Sequence, residues 1–598
     1  MLDIIRDSSL GKVIRFVSQK RLLAYPEERP DFQLPSQYTV FLHSDEKSEL
    51  QGVDTPLSEL DDSHRNEDGA ARKLEPAEDA DPDLEQLASV RSMASMRTIP
   101  FSNERLHVEQ VLGTEKTKSL PVMPHRTRDG VILVDWYSTD DPENPQNWSS
   151  TKKTFIVSVL AFYTFTVYCA GPIYAASVGG GLVEHFGISP VAASLGLGLY
   201  VLAYGIGDLL FSPLTEIPVI GRNPVYYLTF IVFWALSFPT AVVNSFGGLL
   251  ALRFWMGFFG SPALANGGAT IGDMFSLIYF PYGLSWWVLS AWFGPALGPL
   301  MGGFAAMAKG WRWPLWEVVW MSFPVVLALL CFMPETSAPT ILLKRARRLR
   351  KLTGDARVQS QSEIDQRNLT ASHILVSALI KPMEIMFKDP AIFFVNLYTG
   401  YFYGVFYTFF EVFPLVFPPF YGFNLGETGL AFLACLIGVT IALLGYFAYL
   451  HWYMVPDNLR NGFREQEHRL VPAILGSFLL PIGLFMFAWT SDSNIHWVVP
   501  LIAVGIFTMG HFLTMMAIFI YIPFSYPRYA ASLFAGNSIW RSGIAGGSVV
   551  FARPLFVNLG VHRGVTLLGG LSVFGIIGTI AIYVFGKKLR ARSKFAQS

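Results

Sequence analysis

The residues able to do chemistry in this 598-residue chain are ionisable groups set one at a time inside long apolar runs. Asp208, Asp273, Glu317, Glu411 and His511 lie within or at the edge of such runs, and Arg253 and Arg541 also sit inside them. A charge is costly in hydrocarbon, and an ionisable group there is functional by default. An acid whose surroundings alternate between wet and dry can take a proton on one side of a membrane and release it on the other. Each position also has a plainer use. Arg253, in Leu250-Ala-Leu-Arg253-Phe-Trp-Met-Gly257, could snorkel, since Gly248 at the outer end of its run is little more than a helical turn away. Asp273 could anchor a helix at the inner surface, Glu411 could face interfacial water, and Asp208 could join the charges of the turn after it. His511 could do no more than satisfy a hydrogen bond. Arg541, four residues after Asn537, could meet an acid across a cavity.

The elements that must hold these groups are membrane spans. Fifty-two per cent of the residues are apolar and 15% charged, with 49 Phe and 15 Trp, which no soluble fold could bury. Runs long enough to cross ~30 Å of hydrocarbon fall near 155–176, 191–213, 224–244, 248–272, 282–306 and 314–333, and again near 390–416, 427–450, 470–490, 496–521, 528–552 and 564–586. The expected fold is therefore all-α and integral to the membrane, with about 12 transmembrane helices in two six-helix bundles. The expected divisions are a mostly disordered region 1–150, a first bundle 151–334, a basic central loop 335–388, a second bundle 389–587 and a tail 588–598. Lys and Arg crowd the central loop and the tail, whereas the loops 177–190, 245–247, 417–426 and 491–495 have none. Both termini and the central loop are expected in the cytoplasm. The sequons at Asn147 and Asn368 then lie on the inner side and should carry no glycan.

Before the first span, acidic and Pro-rich stretches such as Glu75–Asp83 cannot bury enough apolar area to fold. The opening segment mixes Leu2, Ile5, Val13, Ile14, Phe16 and Val17 with Arg6, Lys12, Arg15 and Lys20, which suits either a helix on an anionic membrane face or a basic tail. Cys169, Cys331 and Cys435 all lie in apolar stretches and suggest neither a disulfide framework nor a metal site. No cluster of His, Cys or acids suggests an enzyme, and no phosphate-binding loop suggests ATP or another cofactor. A net charge of zero gives no sign of a nucleic-acid partner.

Several motifs carry a family resemblance. Gly207-Asp208-Leu-Leu-Phe-Ser-Pro213-Leu-Thr-Glu216-Ile-Pro-Val-Ile-Gly221-Arg222 resembles the signature loop of the major facilitator superfamily, in the form used by fungal drug:proton antiporters. Glu216 and Arg222 can make charge contacts that latch the inner helix ends in one state. The Arg253 run resembles the family's second motif, with Met256 where many members have Gln. Ser290-Ala-Trp-Phe-Gly294-Pro295-Ala-Leu-Gly298-Pro299-Leu-Met-Gly302-Gly303 resembles the antiporter motif, with Ser290 where the pattern usually has Gly. Its small residues allow close helix approach and its prolines kink the span. Arg6-Asp7-Ser8, Pro26-Glu27-Glu28 and Asp141-Pro142-Glu143-Asn144-Pro145-Gln146-Asn147-Trp148 also fit the twelve-span fungal multidrug exporters.

That resemblance implies proton-coupled efflux by alternating access, driven by the proton gradient without a cofactor. It assigns proton coupling to Arg253 and Asp273, with Asp208 and Glu411 as further candidates, and conformational roles to Gly294, Pro295, Gly298, Pro299 and Gly303. Tyr398, Tyr401, Phe402, Phe406 and Tyr407 in the seventh span could line a cavity for flat hydrophobic compounds or simply face lipid. His511, Asn537 and Arg541 are the remaining cavity candidates. The expected partners are hydrophobic small molecules, protons and the lipid bilayer, and the expected setting is a monomer in the plasma membrane. A dedicated exporter of an endogenous secondary metabolite and an uptake carrier are the alternatives.

Overall fold

In the computed structural model, residues 2–19, 21–36, 38–39, 119, 121–127, 129–367, 371–462, 464–526 and 530–596 are described. The acidic stretches between 40 and 118 and the sequon residue Asn368 lie outside the described residues. Two short helices, α1 (Leu2–Asp7) and α2 (Ser9–Val17), open the chain. The first bundle follows as α3 (150–186), α4 (Pro190–Glu216), α5 (Arg222–Val242), α6 (246–274), α7 (Phe280–Lys309) and α8 (Trp313–Phe332). The central loop holds α9 (Ala338–Thr353) and α10 (Ala371–Lys388). The second bundle is α11 (Pro390–Tyr421), α12 (425–461), α13 (466–490), α14 (Val498–Ser525), α15 (Ala530–Leu559) and α16 (Val561–Arg592).

Eleven of these helices are long and apolar enough to cross a bilayer. The twelfth, α15, is as long as α7 but carries Asn537, Arg541 and Arg553. Its polar side is buried against α4 and α11 and away from lipid, so it does not need to be apolar all round. The helices run past the expected spans, most of all at α3, which continues to Phe186 through a wide turn at Val178–Leu182, and at α12, which continues to Asn461. A hydropathy window sees only the hydrocarbon-spanning part of a helix. Oxygen-bearing side chains start several of them: Ser149, Ser189, Ser245 and Asp389 each accept a hydrogen bond from a first-turn N–H.

Small residues close the two bundles on each other. Where α4 meets α15, a methyl placed on Gly205 would come within 2.5 Å of Ser542, and one on Gly198 within 3.0 Å of the Gly546 carbonyl. Where α7 meets α12, Gly303 and Gly429 play the same part against Leu425 and Pro299. Gly294, Gly298 and Gly302, spaced four apart on another face of α7, seat α3 within the first bundle instead.

At the face carrying both termini, described segments of the N-terminal region are folded, a difference from the disorder expected of that region. Strand β1 (His125–Arg126) pairs antiparallel with β2 (Ile132–Leu133), and β2 runs parallel to β3 (Val358–Gln359) of the central loop. Tyr38, Ile132, Val134, Ala346, Leu349 and Val358 form a small separate core there. At its centre Arg345, 1% exposed, bonds Asp141 at 2.6 and 3.1 Å and Glu143 at 3.1 Å, and its guanidinium lies 4.1 Å from the Tyr137 ring. Arg348 bonds Glu27 at 2.9 Å and Glu143 at 3.0 Å. Burial and the adjacent Glu27 carboxylate push the Tyr137 phenol well above its ordinary range. Composition hid this cap because its acids and bases neutralise one another only after distant segments meet.

The Asn147 side-chain amide is used inside the same cap, donating to the carbonyls of Thr139 (2.8 Å) and Asp141 (3.1 Å). Helix α2 docks at the rim of the first bundle through Ser9 and Asn223. Its Arg15 does not face outward but pairs with Glu28 and stacks over Tyr25, while Leu10, Val13, Phe16 and Val17 are exposed.

Arg345→Leu would leave Glu27, Asp141 and Glu143 crowded without their central cation. A loss of about 3–5 kcal/mol is expected for the cap, read as much faster limited proteolysis of segments 121–148 and 338–366 in the purified protein. Cleavage at the unaltered rate would show that the ring of charges does not hold the cap.

Candidate functional site

The bundles enclose a small cavity of about 40 Å³ between them. Five helices supply most of its wall: Tyr168 comes from α3, Trp287, Trp292 and Pro295 from α7, Tyr403 and Phe406 from α11, His511 and Met515 from α14, and Arg541 from α15. Trp292 stands edge-on to Phe406 (4.8 Å between centroids) and to His511 (4.7 Å). Phe402 braces His511 from behind at 4.5 Å. The Arg541 guanidinium lies 4.8 Å from the Tyr403 ring. The result is an apolar, aromatic chamber with one cation and one imidazole on its wall, suited to flat ligands held without a fixed pose.

Two polar connections cross between the bundles beside this chamber. The Tyr204 hydroxyl on α4 is 2.8 Å from that of Tyr403 and 2.9 Å from that of Tyr407, both on α11. One helical turn along α4, Asp208 is fully buried and accepts a 2.5 Å hydrogen bond from Ser538 on α15. Its second carboxylate oxygen is buried with no hydrogen-bond partner among the described residues. Ser538 precedes Arg541 by three residues, so the acid and the cavity's cation lie on adjacent turns of one seam.

Arg253 does something different from either expectation set by its position. It is 0% exposed and does not snorkel. Its guanidinium donates to the carbonyls of Ala170 (2.6 Å), Gly171 (3.0 Å) and Gly196 (3.1 Å), between the rings of Tyr174 and Tyr200. The first two carbonyls lie where α3 bends at Gly171-Pro172, so the arginine supplies hydrogen bonds that a bent helix loses, and the third is on α4. It thus ties α3, α4 and α6 together within the first bundle and does not touch the cavity.

The expected latch is also rearranged. Arg222 closes on Asp273 (2.6 and 3.2 Å), with Thr336 donating to the same acid at 3.2 Å, while Glu216 is exposed at the end of α4. The backbone N–H of Arg222 donates to Glu335. Gly221, at φ +79, permits this turn, because a side chain there would strike the Glu335 carboxylate. Asp273 is about 20 residues of helix from Arg253, so the two form separate sites. Glu411 stands 3.9 Å from Arg553 near the opposite face, away from the chamber.

Among the expected cavity residues, Phe406, His511 and Arg541 line the chamber, Tyr407 joins the hydroxyl group beside it, and Phe402 lies one layer behind. Tyr398 and Tyr401 turn the other way: Tyr398 packs on Gly575, and the Tyr401 hydroxyl donates to the Leu568 carbonyl, both on α16. Asn537 bonds Asn396 (3.0 Å) and Thr399 (2.6 Å) inside the second bundle. The aromatic stretch of α11 runs around the whole helix, and only the face holding 403, 406 and 407 looks inward. Tyr168, Tyr204, Trp287, Trp292 and Ser538 were not foreseen. Trp292 lies inside the Ser290–Gly303 run, where attention to the glycines hid it; Ser538 had no signal before its partner's position was known.

Arg253→Lys keeps the charge but cannot reach three carbonyls from one ammonium. A loss of about 2–3 kcal/mol is expected, seen as a lower melting temperature of the purified protein together with impaired transport. An unaltered melting temperature would show that the three carbonyl bonds do not support the bend.

Comparison with known proteins agrees with this architecture. The sequence model of the Major Facilitator Superfamily matches residues 154–548. The chain is 44% identical over 473 residues to "MFS-type transporter pyvG" of Aspergillus violaceofuscus, covering 79% of this chain and 87% of that protein. It is 37% identical to "Fluconazole resistance protein 1" of Saccharomyces cerevisiae, covering 78% and 85%, and 33% identical to "Cycloheximide resistance protein" of Candida maltosa over the full length of both. The crystal structure of a POT family transporter in complex with a thioalcohol-conjugated peptide superposes with a TM-score of 0.52 at 12% identity, covering 72% of this chain and 96% of that one, which supports the fold alone. With its two six-helix bundles around a central chamber, the chain belongs to the major facilitator superfamily.

Proposed function

We propose that this chain exports toxic hydrophobic organic compounds, such as azoles, other fungicides or secondary metabolites, by alternating access in exchange for protons. The observation that carries the reading is the buried Asp208–Ser538 bond, which joins the two bundles one turn from the cation of an aromatic chamber. The printed names of the fluconazole and cycloheximide resistance proteins support efflux of such compounds. Nothing in this reading calls for catalysis or for a cofactor; the energy source is the proton gradient.

In the proposed cycle the basic face looks into the cytoplasm, as the distribution of Lys and Arg favours. The charged form of Asp208 accepts from Ser538 and is balanced by nearby Arg541. A proton reaching Asp208 from the outer side removes that balance and changes which groups the cation prefers, so substrate and proton occupancy favour opposite facings. Opening the basic side parts α4 from α15 and lets the acid meet cytoplasmic water, where it releases its proton. Trp292, Phe406 and Tyr403 hold the substrate by stacking, which tolerates varied shapes. Arg222–Asp273 steadies the inner end of the first bundle during the swing. The setting is a single chain in the plasma membrane with both termini inside.

Inside-out vesicles carrying the protein should accumulate an azole when their lumen is made acidic and should lose most of that accumulation when the gradient is collapsed. Asp208→Asn should leave slow transport that no longer responds to the gradient, and Trp292→Ala should weaken azole binding by about 1–3 kcal/mol through lost aromatic contact. Uptake that ignores the gradient in the unaltered protein would sink the exchange mechanism, and gradient-driven transport by Asp208→Asn would move the proton to another acid.

A further inference from the structure

On the outside of the second bundle, away from the chamber, α11 and α16 flank a groove of about 450 Å³. Its walls are apolar: Ala391 and Phe394 on α11 face Gly578, Ile582 and Phe585 on α16. The Phe394 ring lies on Gly578 so closely that a methyl there would come within 1.9 Å of it, which sets the floor of the groove. The α16 contributions recur every three or four residues from 578 to 592, one continuous stripe about 20 Å long.

The stripe ends in two cations, Lys588 and Arg592, one turn apart and both exposed at the basic face. Their neighbours are committed elsewhere: Arg590 bonds Glu467 at 2.7 and 2.8 Å, and Lys587 bonds Glu465 at 2.6 Å. At the foot of α11, Asp389 is occupied by its own helix N-terminus and by the Tyr526 hydroxyl. Among the described residues, no carboxylate pairs with Lys588 or Arg592. An apolar channel the depth of one leaflet, topped at the membrane surface by two unpaired cations, matches an acyl chain below a negatively charged headgroup.

We propose that this groove binds an anionic phospholipid of the leaflet at the basic face, with an acyl chain against Phe394 and Gly578 and its phosphate held between Lys588 and Arg592. The site is separate from the transport chamber and stands whether or not that chamber exchanges protons. It fixes a lipid between α11 and α16, the two helices that Tyr398, Tyr401 and Gly575 also join.

The full-length protein in mild detergent can be titrated with dioleoylphosphatidylserine and with dioleoylphosphatidylcholine and read by native mass spectrometry. The serine lipid should be retained roughly thirtyfold better, the effect expected of two basic groups near one anionic headgroup. The Lys588→Ala/Arg592→Ala variant should retain both lipids equally, whereas Lys594→Ala should behave as the unaltered chain. Ala581→Trp, which fills the groove without changing charge, should lower retention of both. Glycerophosphoserine, which lacks acyl chains, should compete poorly. The proposal is overturned if the double variant keeps its preference, or if the chainless headgroup competes as well as the lipid. Should the double variant not remain monodisperse, the unaltered protein decides: phosphatidylserine must raise its melting temperature more than phosphatidylcholine, and an equal rise rejects the site.

Discussion

The closeness of backbone to backbone where the two bundles touch is the constraint on which the rest of the molecule depends. Along α4 and α15 the contact is made by Gly198, Gly205, Ser542 and Gly546; along α7 and α12, by Pro299, Gly303 and Gly429. In hydrocarbon there is little hydrophobic gain from bringing helices together, so dispersion over flat, small-residue surfaces must supply the attraction. Such surfaces grip without interlocking. The same contacts bring Asp208 to Ser538 and Tyr204 to Tyr403, and they leave a gap between the bundles wide enough for the aromatic chamber.

Buried cations are treated in three different ways. Arg253 is satisfied by carbonyls and aromatic faces, with no acid beside it among the described residues, and its task is to hold a bent helix. Arg345 is satisfied by three acids from two distant segments, and its task is to gather them. Arg541 stands at the chamber wall with an aromatic ring beneath it, one turn from Ser538, which bonds the buried acid Asp208 of α4. A planar fork with five donors can serve all these settings, which is why sequence context alone does not separate a structural arginine from one facing a ligand.

The two-bundle architecture was legible because twenty-residue apolar runs have few other physical outcomes. Helix α15 shows the limit: half its surface is sheltered by protein, and its hydropathy falls accordingly. Within the chamber, Phe406, His511 and Arg541 were readable as polar or aromatic residues in spans, but Tyr398, Tyr401 and Asn537 met the same description and point elsewhere. Composition cannot say which side of an aromatic helix faces inward. The cap was illegible for another reason. Pro26-Glu27-Glu28 and Asp141–Trp148 carried a family resemblance without a physical cause, and the cause is Arg345, in a third segment.

That cap also orders events during synthesis. Glu27 and Asp141 leave the ribosome long before Arg345, and at about 5–20 residues per second the gap between Glu27 and its cation is roughly 15–60 s. All six helices of the first bundle are synthesised in that interval. The ring of charges can then close only on a chain whose first bundle has already been made. Closure of the cap therefore cannot precede completion of the first half.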